Sequence, residues 1–511
     1  MNDIAQTSVL IIGGGPAGLT LANLLGTEGV PTVLVERNPG CVEQPRAVAL
    51  DGESLRSLQA TGLAGIVTPG IMQGFIADYV NGEGTFLFSN DLTARPYGYC
   101  LLNSFDQPTL ERQLLAGLER FDCVEVRHNT QMLDFKQDNE AVTATLAGPD
   151  GEHKQLRANY MVGCDGGRSS VRQGLDIAMG GERLPQKWLV IDTVDTHLTE
   201  EPECRFYCDP QRPAMTILRP GGERRWEWML LEGETDDEML ADQRIASLLA
   251  PHTDTEKVQV YRKCVYGFSA VVAERFSHGR VFIAGDAAHM TPPFAGQGLN
   301  AGIRDVCNLS WKLARVLNGS LPAALLDSYN LERKDAAKAV VDLAVALGDQ
   351  IQPTDTAIAA ERDAFFAELN TDPTAAASFA ADLTAPLSDI RLPCGWFLDG
   401  SAGGRMLPQP EVTTAGGKML LDELLGPGFA ALVSSARELP ASVTEHPLWR
   451  ALAPSVHYLG EDLTLSADAL GSVVDDDKPL CTLVRPDRFV LASVELDGHP
   501  AGDLDKLQAA L

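Results

Sequence analysis

The sequence has little positive charge. It contains 41 Lys and Arg against 70 Asp and Glu, which gives a formal net charge of −29. A protein that holds nucleic acid by its phosphates needs a basic surface. The composition therefore argues against a nucleic-acid partner, and we interpret the acidic excess as solvated surface.

Clustered cysteines are also missing. The ten cysteines are scattered, and no Cys-x-x-Cys or Cys/His group has the spacing of metal ligands. We predict no metal site and no thiol-disulfide chemistry. Reduced thiols in a cytoplasmic protein are the expectation.

Long apolar runs are absent as well. No window reaches the roughly 20 apolar residues that a transmembrane helix needs. Residues 8–25 are apolar, but no basic segment precedes them and Gly13 to Pro16 interrupts them, so we do not predict a signal peptide. No membrane partner is expected. At 511 residues the chain is long enough for two to four domains.

A glycine-rich turn stands at the start of the chain. Residues 9–25 have the pattern of strand, turn and helix, with Gly13, Gly15 and Gly18 in a Gly-x-Gly-x-x-Gly arrangement. A second predicted strand ends at Glu36. Such glycines allow a tight turn, a close approach to a pyrophosphate and close helix packing, and the acid receives a ribose hydroxyl. The segment predicts dinucleotide binding.

Two further strand-loop-helix motifs follow. Residues 161–172 read MVGCDGGRSSVR, and residues 280–305 read RVFIAGDAAHMTPPFAGQGLNAGIRD. In the second, Asp286 ends a short apolar run, and a loop with Gly296 and Gly298 leads into a helix. An acid beside a free helix N-terminus suits a ligand that carries both hydroxyls and negative charge.

These three motifs together resemble the single-component, FAD-dependent aromatic hydroxylases. GGGPAG with Glu36, CDGGRSSVR and AGDAAHMTPPFAGQGLN occur in the family's order. PRAVALDGESLRSLQATGL and LLDSYNLERK are similar to the phenolic hydroxylases that act on 3-(3-hydroxyphenyl)propionate. The resemblance covers roughly residues 5–350.

The resemblance implies a set of FAD-binding positions: Gly13, Gly15, Pro16, Ala17, Gly18, Glu36, Arg37, Arg46, Gln107, Asp165, Asp286, Pro293, Gly298, Leu299 and Asn300. It also implies reduction of FAD by NADH or NADPH, reaction with O2 to a flavin C4a-hydroperoxide, and hydroxylation of a small phenolic substrate ortho to its hydroxyl. His289, in the same signature, is expected to be structural.

The group that assists loss of the phenol proton stays open at this point. Asp51 is a candidate by resemblance, and it is equally a candidate helix N-cap before residues 53–60. Tyr207 and the backbone carbonyl of Pro292 are weaker candidates. A substrate carboxylate would call for an arginine, and the candidates in the predicted substrate sheet are Arg205, Arg212, Arg224 and Arg225. Each of them is more typical of surface than of a ligand site.

Trp226-Glu227-Trp228 has the Trp-x-Trp pattern of flavin halogenases. The Ile-Pro that should follow is replaced by Met229-Leu230. We therefore discount halogenation.

The predicted fold is α/β, with a Rossmann-like FAD-binding domain, an inserted mixed β-sheet substrate domain and a thioredoxin-like C-terminal domain. The boundaries are FAD binding at 1–75, 105–180 and 269–345, substrate sheet at 76–104 and 181–268, helical linker at 346–395, and C-terminal domain at 396–511. A packing role or a homodimer contact is expected of the last domain.

Two other functions remain alternatives. One is hydroxylation of a polycyclic or heteroaromatic phenol of the polyketide or quinolone type, favoured by a substrate domain lined with aliphatic residues and lacking a carboxylate-binding arginine. The other is a non-catalytic binding module derived from a flavoprotein, against which the intact glycines and Asp286 argue.

Overall fold

A computed structural model describes residues 4–195, 202–398, 400, 402–434, 438–460, 469–470 and 480–511. The α/β class predicted from the sequence is confirmed. No helix within these ranges is both long and apolar enough to cross a membrane.

The first sheet has the strand order β16-β17-β10-β1-β2-β7, in which β17, β10, β1, β2 and β7 are parallel and β16 is antiparallel to β17, and β9 and then β8 extend it beside β10. Its strands, numbered along the chain, are β1 (Ala5–Ile12), β2 (Thr32–Val35), β7 (Val124–Arg127), β8 (Gln131–Gln137), β9 (Val142–Ala147), β10 (His153–Gly163), β16 (Ser277–His278) and β17 (Val281–Ile283).

Helices pack on this sheet and bury β2, β17 and the second half of β1, which are almost entirely apolar. They are α1 (Pro16–Thr27), α2 (Gly52–Ala60), α3 (Ala64–Val67), α4 (Gln107–Gly117), α5 (Ser170–Gly174), α8 (Gly298–Leu317) and α9 (Asp327–Ile351). Together they enclose the largest hydrophobic core.

The second sheet is mixed and has the order β18-β15-β11-β14-β13-β12-β4-β5. Its strands are β4 (Ile76–Asn81), β5 (Phe86–Asp91), β11 (Met179–Asp195), β12 (Cys204–Cys208), β13 (Ala214–Arg219), β14 (Glu223–Met229), β15 (Val258–Ala273) and β18 (His289–Met290). The strands predicted at residues 188–231 are confirmed, and β15 runs past the predicted boundary at 268.

Helices cover both faces of the second sheet. On one face lie α6 (Asp236–Met239) and α7 (Asp242–Leu249), which pack on the two tryptophans of β14. Near β5 at the far edge lie α10 (Thr356–Leu369) and α11 (Pro373–Ser388). The segment predicted as a helical linker thus contains two helices that pack against the edge strand β5 of the substrate sheet.

The C-terminal part contains a four-stranded sheet in the order β22-β21-β23-β24. Its elements are α12 (Leu421–Leu425), β21 (Ala430–Val433), α13 (Ala441–Thr444), α14 (Pro447–Leu452), β22 (Ser455–Tyr458), β23 (Leu480–Val484), β24 (Val490–Glu495) and α15 (Pro500–Ala509). Two small antiparallel two-stranded sheets complete the described fold: β3 (Ala49–Asp51) with β6 (Leu102–Ser104), and the hairpin of β19 (Glu411–Thr414) with β20 (Gly417–Leu420).

A buried charge cluster joins this part to α8 and α9. Glu332 on α9 accepts hydrogen bonds from Arg485 (2.8 Å) and Lys312 (2.7 Å), and Arg485 also pairs with Asp487 (2.6 Å). The side chains of Glu332, Lys312 and Arg485 have no exposed surface. The hydrogen bond from the Trp396 N–H to Glu332 (3.0 Å) adds the loop before β19 to the same cluster.

Candidate active site

The three sequence motifs meet at one edge of the first sheet. Ile12 is in register with Val35 and with Gly163, and Gly163 is in register with Ile283. Because these strands are parallel, the glycine turn, Glu36 and the two later motifs leave the sheet side by side. This edge is where open α/β sheets bind their ligands.

Four connected cavities begin at this edge. The glycine-loop chamber, about 970 Å³, is lined by Gly13, Gly15, Glu36, Arg37 and Asp165 among others. The conformation of Gly13, with φ of +109°, favours glycine, and a Cβ there would lie 2.4 Å from the carbonyl oxygen of Cys164. Gly18 does not line a chamber, because it packs against the backbone of Gly13.

The acids of this chamber already hold its loops. Glu36 accepts hydrogen bonds from the N–H groups of Gly14 (2.7 Å) and Asn38 (2.8 Å). Asp165 accepts from the N–H (2.7 Å) and hydroxyl (2.9 Å) of Ser170, at the start of α5. A carboxylate has about four acceptor sites. Glu36 also accepts from the Asn38 side chain (2.6 Å) and so keeps one site for a ligand hydroxyl. Asp165 also accepts from the Ser169 hydroxyl (2.5 Å) and the Val171 N–H (3.2 Å) and keeps none.

The middle chamber, about 840 Å³, continues from it and is lined by Pro16, Ala17, Arg46, Gln107 and Asp286, together with Gly298 and Leu299. Gln107 fixes the Arg46 segment, since its side-chain oxygen accepts from the N–H groups of Arg46 (3.0 Å) and Ala47 (2.7 Å). The carboxyl group of Asp286 is open to this chamber. Desolvation by the surrounding protein raises its pKa, and the charges of His289 and Arg46 oppose that rise.

The sheet chamber and the inner chamber complete the series. The sheet chamber, about 740 Å³, lies between the α8 loop and the second sheet and is lined by Arg46, Arg225, Glu227, Thr291 and Pro293 among others. The inner chamber, about 670 Å³, lies deeper against the same sheet. The two share eight lining residues: Val48, Ala49, Phe206, Met215, Pro293, Phe294, Gly296 and Gln297.

One row of side chains crosses the sheet through both of these chambers. Strand register places Glu227 opposite Met215, Met215 opposite Phe206, and Phe206 opposite Tyr79. Because side chains alternate along each strand, all four point to the same face. A carboxyl group therefore stands at one end of an otherwise largely apolar wall.

Glu227 is the residue that sequence reasoning missed. It is 8% exposed, and burial raises the pKa of its carboxyl, opposed by the nearby Arg225. The sequence offered a signal in the alternation Trp226-Glu227-Trp228, which puts the two tryptophans on the face covered by α7 and the acid on the other. The sequence pattern alone does not show that this acid lies in the wall of a chamber, which is what makes it a candidate functional residue.

Arg225 has a structural partner set. It donates to Asp192 at 2.7 and 3.0 Å and to the carbonyl oxygens of Pro45 (2.8 Å) and Arg46 (2.6 Å). Its guanidinium thus ties the second sheet to the segment that carries Arg46.

Asp51 is a helix N-cap, which confirms one of the two alternatives. Its carboxylate accepts a hydrogen bond from the Ser54 N–H (2.7 Å) and pairs with Arg304. The side chain is buried, and it is not among the residues that line the four chambers. Asn300 lies beside it and holds the loop, accepting from the Asp51 N–H (3.0 Å) and donating to the Gly296 carbonyl (2.8 Å). Asn300 does not line a chamber either.

Tyr207 is on the wrong face of the sheet for chemistry in the chambers. It follows Phe206 on β12, so its ring points to the opposite side and packs on His252 with the ring centroids 4.9 Å apart. The expectation that it assists at the substrate is therefore wrong, because strand alternation separates the two neighbours. Pro292 lies between the lining residues Thr291 and Pro293 with extended backbone. His289 is buried and paired with Asp305 at 2.8 Å.

The chambers fit FAD by three observations. No side chain caps the N-terminus of α1 or of α8, so the backbone N–H groups there are free for anionic ligand atoms. A Cβ built on Gly15 would meet nothing within 4 Å, which leaves the backbone open to a close ligand. Within the described residues, both amide atoms of Gln297 and the hydroxyl of Thr291 are buried without a hydrogen-bond partner beside the α8 loop.

A dinucleotide-type site at the edge of a parallel sheet, continuous with a chamber under a mixed sheet, is the arrangement expected of a flavoprotein monooxygenase. Residues 6–344 match the family model described as FAD binding domain, and residues 404–509 match the HcaD C-terminal domain. The chain belongs to this FAD binding domain family of FAD-dependent hydroxylases. It is a monooxygenase with FAD as its cofactor and NAD(P)H and O2 as its co-substrates.

Relatives with assigned activities span almost the whole chain. A 3-(3-hydroxy-phenyl)propionate/3-hydroxycinnamic acid hydroxylase of Burkholderia cenocepacia (strain HI2424) is 36% identical over 97% of this chain and 95% of its own. A hydroxylase of the same name from Klebsiella pneumoniae subsp. pneumoniae is 38% identical over 83% of this chain and 77% of its own.

Solved structures share the complete fold. Aklavinone-11 hydroxylase in complex with FAD and aklavinone has a TM-score of 0.81 at 26% identity, with 100% of this chain and 99% of that chain covered. The flavin-dependent monooxygenase PieE gives the same TM-score and coverage at 22% identity, which speaks for the fold alone.

Gly15 offers a test of the FAD-binding assignment. We expect Gly15→Ala to leave the fold intact, since the added methyl meets no protein atom, but to weaken FAD binding at least tenfold, since that space faces the pyrophosphate. Titration of the apoprotein with FAD, followed by flavin fluorescence, measures the effect. Gly65→Ala is the matched control, because Gly65 is exposed on α3 and also has open space around it. Equal FAD affinity in both variants would contradict the assignment.

Proposed function

We propose that this protein hydroxylates a phenolic aromatic substrate, ortho to the existing hydroxyl. The observation that carries the proposal is a chamber that adjoins the candidate FAD-binding loops and has one buried carboxyl group, that of Glu227, in its described wall. The names of the relatives, which are hydroxylases of hydroxyphenyl acids, support the same reaction class.

Per turnover, NAD(P)H supplies two electrons, one oxygen atom of O2 enters the ring and the other leaves as water. Bound FAD supplies the redox chemistry that activates O2. The chain's own contribution is to position the ring, exclude water and accept a proton. A phenolate ring is more electron-rich than a phenol ring. A base that removes the hydroxyl proton therefore accelerates attack by the ring on the activated oxygen.

Glu227 is the proposed proton acceptor. It lines the sheet chamber together with Gly298 and Leu299, the residues that also line the middle chamber. The raised pKa of its carboxyl brings that group closer to the working pH, where a base is most effective. The phenol proton passes to a carboxylate oxygen of Glu227, and the apolar side chains of Met215 and Phe206 beside it keep the ring dry.

A cytoplasmic location and a homodimer belong to the same proposal. All ten cysteines are free thiols, and burial raises the pKa of several of them, which suits a reducing compartment. The homodimer rests only on the resemblance of the C-terminal domain. Size-exclusion chromatography with light scattering tests it.

The test of function is NAD(P)H oxidation by the FAD-loaded protein with a panel of phenols, with H2O2 measured in parallel. We expect at least one phenol to accelerate oxidation with little peroxide and to yield a catechol product, and a hydroquinone product would contradict ortho attack. Slow oxidation with stoichiometric peroxide from the entire panel would contradict phenol hydroxylation. Failure to take up FAD would instead favour a non-catalytic binding module.

A further inference from the structure

We infer that the substrate of this protein is an uncharged phenol that carries a second neutral polar group, rather than a hydroxyphenyl carboxylate. This inference rests on the proposed function and specifies its substrate class. The relatives are named for substrates with a carboxylate side chain. The walls of the inner chamber in this chain do not match such a group.

The described wall of the inner chamber contains no Lys, Arg or His. Most of its residues are aliphatic or aromatic, contributed by the second sheet, the α8 loop, α9 and α11. A carboxylate that enters such a chamber loses its hydration without gaining a cation, which is strongly unfavourable. An uncharged group of the same size has a much smaller desolvation cost.

Two arginines line the sheet chamber, and within the described residues the side chain of only one of them, Arg225, has hydrogen-bond partners. Arg225 is held by Asp192 and by two backbone carbonyls. Arg46 lines the sheet chamber but also the middle and glycine-loop chambers, on the side where the cofactor lies. Glu227 adds a carboxyl group to the same wall, and its negative form would repel a second carboxylate.

Neutral polar groups are present instead. The side-chain oxygen of Asn90 is buried in the inner-chamber wall with no hydrogen-bond partner among the described residues, and both amide atoms of Gln297 share that condition. Tyr79 also lines this chamber, and burial raises the pKa of its hydroxyl, which keeps it neutral. Unpaired amide and hydroxyl groups suit a ligand carbonyl, amide or hydroxyl.

A matched ligand pair tests the inference on the unmodified holoenzyme. The pair is 3-(3-hydroxyphenyl)propionate and its primary amide, which have the same ring and nearly the same shape but differ in charge. Dissociation constants come from the change in flavin absorbance on binding, and coupled hydroxylation is measured for both. We expect the amide to bind at least tenfold more tightly near pH 7.5, and the propionate to bind more tightly as the pH falls towards its own carboxyl pKa.

Equal or tighter binding of the propionate at neutral pH overturns the inference. In that case Arg46 would be the residue that binds the substrate carboxylate. Absence of amide binding overturns it as well. These results are distinct from failure of the proposed function, in which no phenol of any kind accelerates NAD(P)H oxidation.

Asn90→Leu gives a second measurement at the same site. We expect the amide to lose about tenfold in affinity, because a buried hydrogen-bond partner is removed, while phenol itself, which has no second polar group, keeps its affinity within about twofold. Unchanged amide binding in this variant would show that Asn90 does not recognise the substrate and would overturn the assignment of the neutral polar wall.

Discussion

Glu227→Gln is expected to lower the rate of phenol hydroxylation about 100-fold or more. A positioned general base contributes about 10²–10⁴ in rate, and glutamine preserves the shape of the side chain but does not accept a proton at neutral pH. Since the chamber is otherwise unchanged, the dissociation constant of the phenol should move by less than about threefold. Rapid-reaction measurement of product formation separates the two quantities.

The pH profile distinguishes a base from a packing residue. Burial raises the pKa of the Glu227 carboxyl, so the active, deprotonated form accumulates only above that raised value. The wild-type rate should therefore rise with pH through it, and Glu227→Gln should lose that rise. Glu227→Asp should recover part of the rate. Glu232→Gln is the control, since Glu232 is an exposed acid three residues beyond the end of β14. An unaltered profile in Glu227→Gln would rule out the role.

Glu332→Gln is expected to destabilise the folded protein by about 3–5 kcal/mol. Removing one partner of a buried ion pair leaves the opposite charge desolvated and unpaired, and here two cations, Lys312 and Arg485, depend on this one carboxylate. Denaturant unfolding followed by tryptophan fluorescence measures the loss. Trp311 and Trp396 are suitable reporters of the cluster. The Arg485 guanidinium lies 5.2 Å from the Trp311 ring, and the backbone N–H of Trp396 donates to Glu332.

The pH dependence of this effect has a definite sign. Burial alone would raise the pKa of Glu332, but Arg485 and Lys312 hold it well below its ordinary value. A carboxyl with a depressed folded-state pKa contributes stability that is fully present above the unfolded-state pKa, about 4.3, and is lost as the pH falls. The difference between wild type and Glu332→Gln should therefore be complete at pH 7 and shrink below about pH 4.

Asp342→Asn, on the same helix, is the matched control. Asp342 pairs with Lys338 on the exposed side of α9, where an ion pair contributes less than about 1 kcal/mol. A comparable loss in both variants would mean that the buried cluster does not hold the C-terminal part to the FAD-binding part.

The cofactor half of the site could be predicted from sequence because its residues are consecutive. Gly13 and Glu36 directly follow β1 and β2, Gly15 and Asp286 lie three residues past the ends of β1 and β17, and parallel pairing brings these strand ends together. Hydrophobic runs bounded by glycine and proline likewise located the strands of the second sheet.

The substrate half depends on relations that sequence alone does not contain. Which face of β12 or β14 meets the chamber is set by packing on α7 and by cross-strand register, so Tyr207 was expected at the substrate and Glu227 was missed. Asp51 is the same kind of case, since a local N-cap and an active-site acid have the same sequence pattern, and only the partner Arg304, distant in sequence, separates them.

The position of α11 has a consequence for how this enzyme diversifies. Leu383 and Leu387 of this helix line the inner chamber, yet none of the helix residues is fully buried, and the helix belongs to neither the FAD-binding motifs nor the row that contains Glu227. Substitutions here alter the shape offered to the substrate without disturbing the parts that handle electrons and oxygen. Substrate preference can thus be changed separately from the redox chemistry. A library of variants at the positions of α11 that face the inner chamber is the smallest one expected to yield hydroxylation of new substrates.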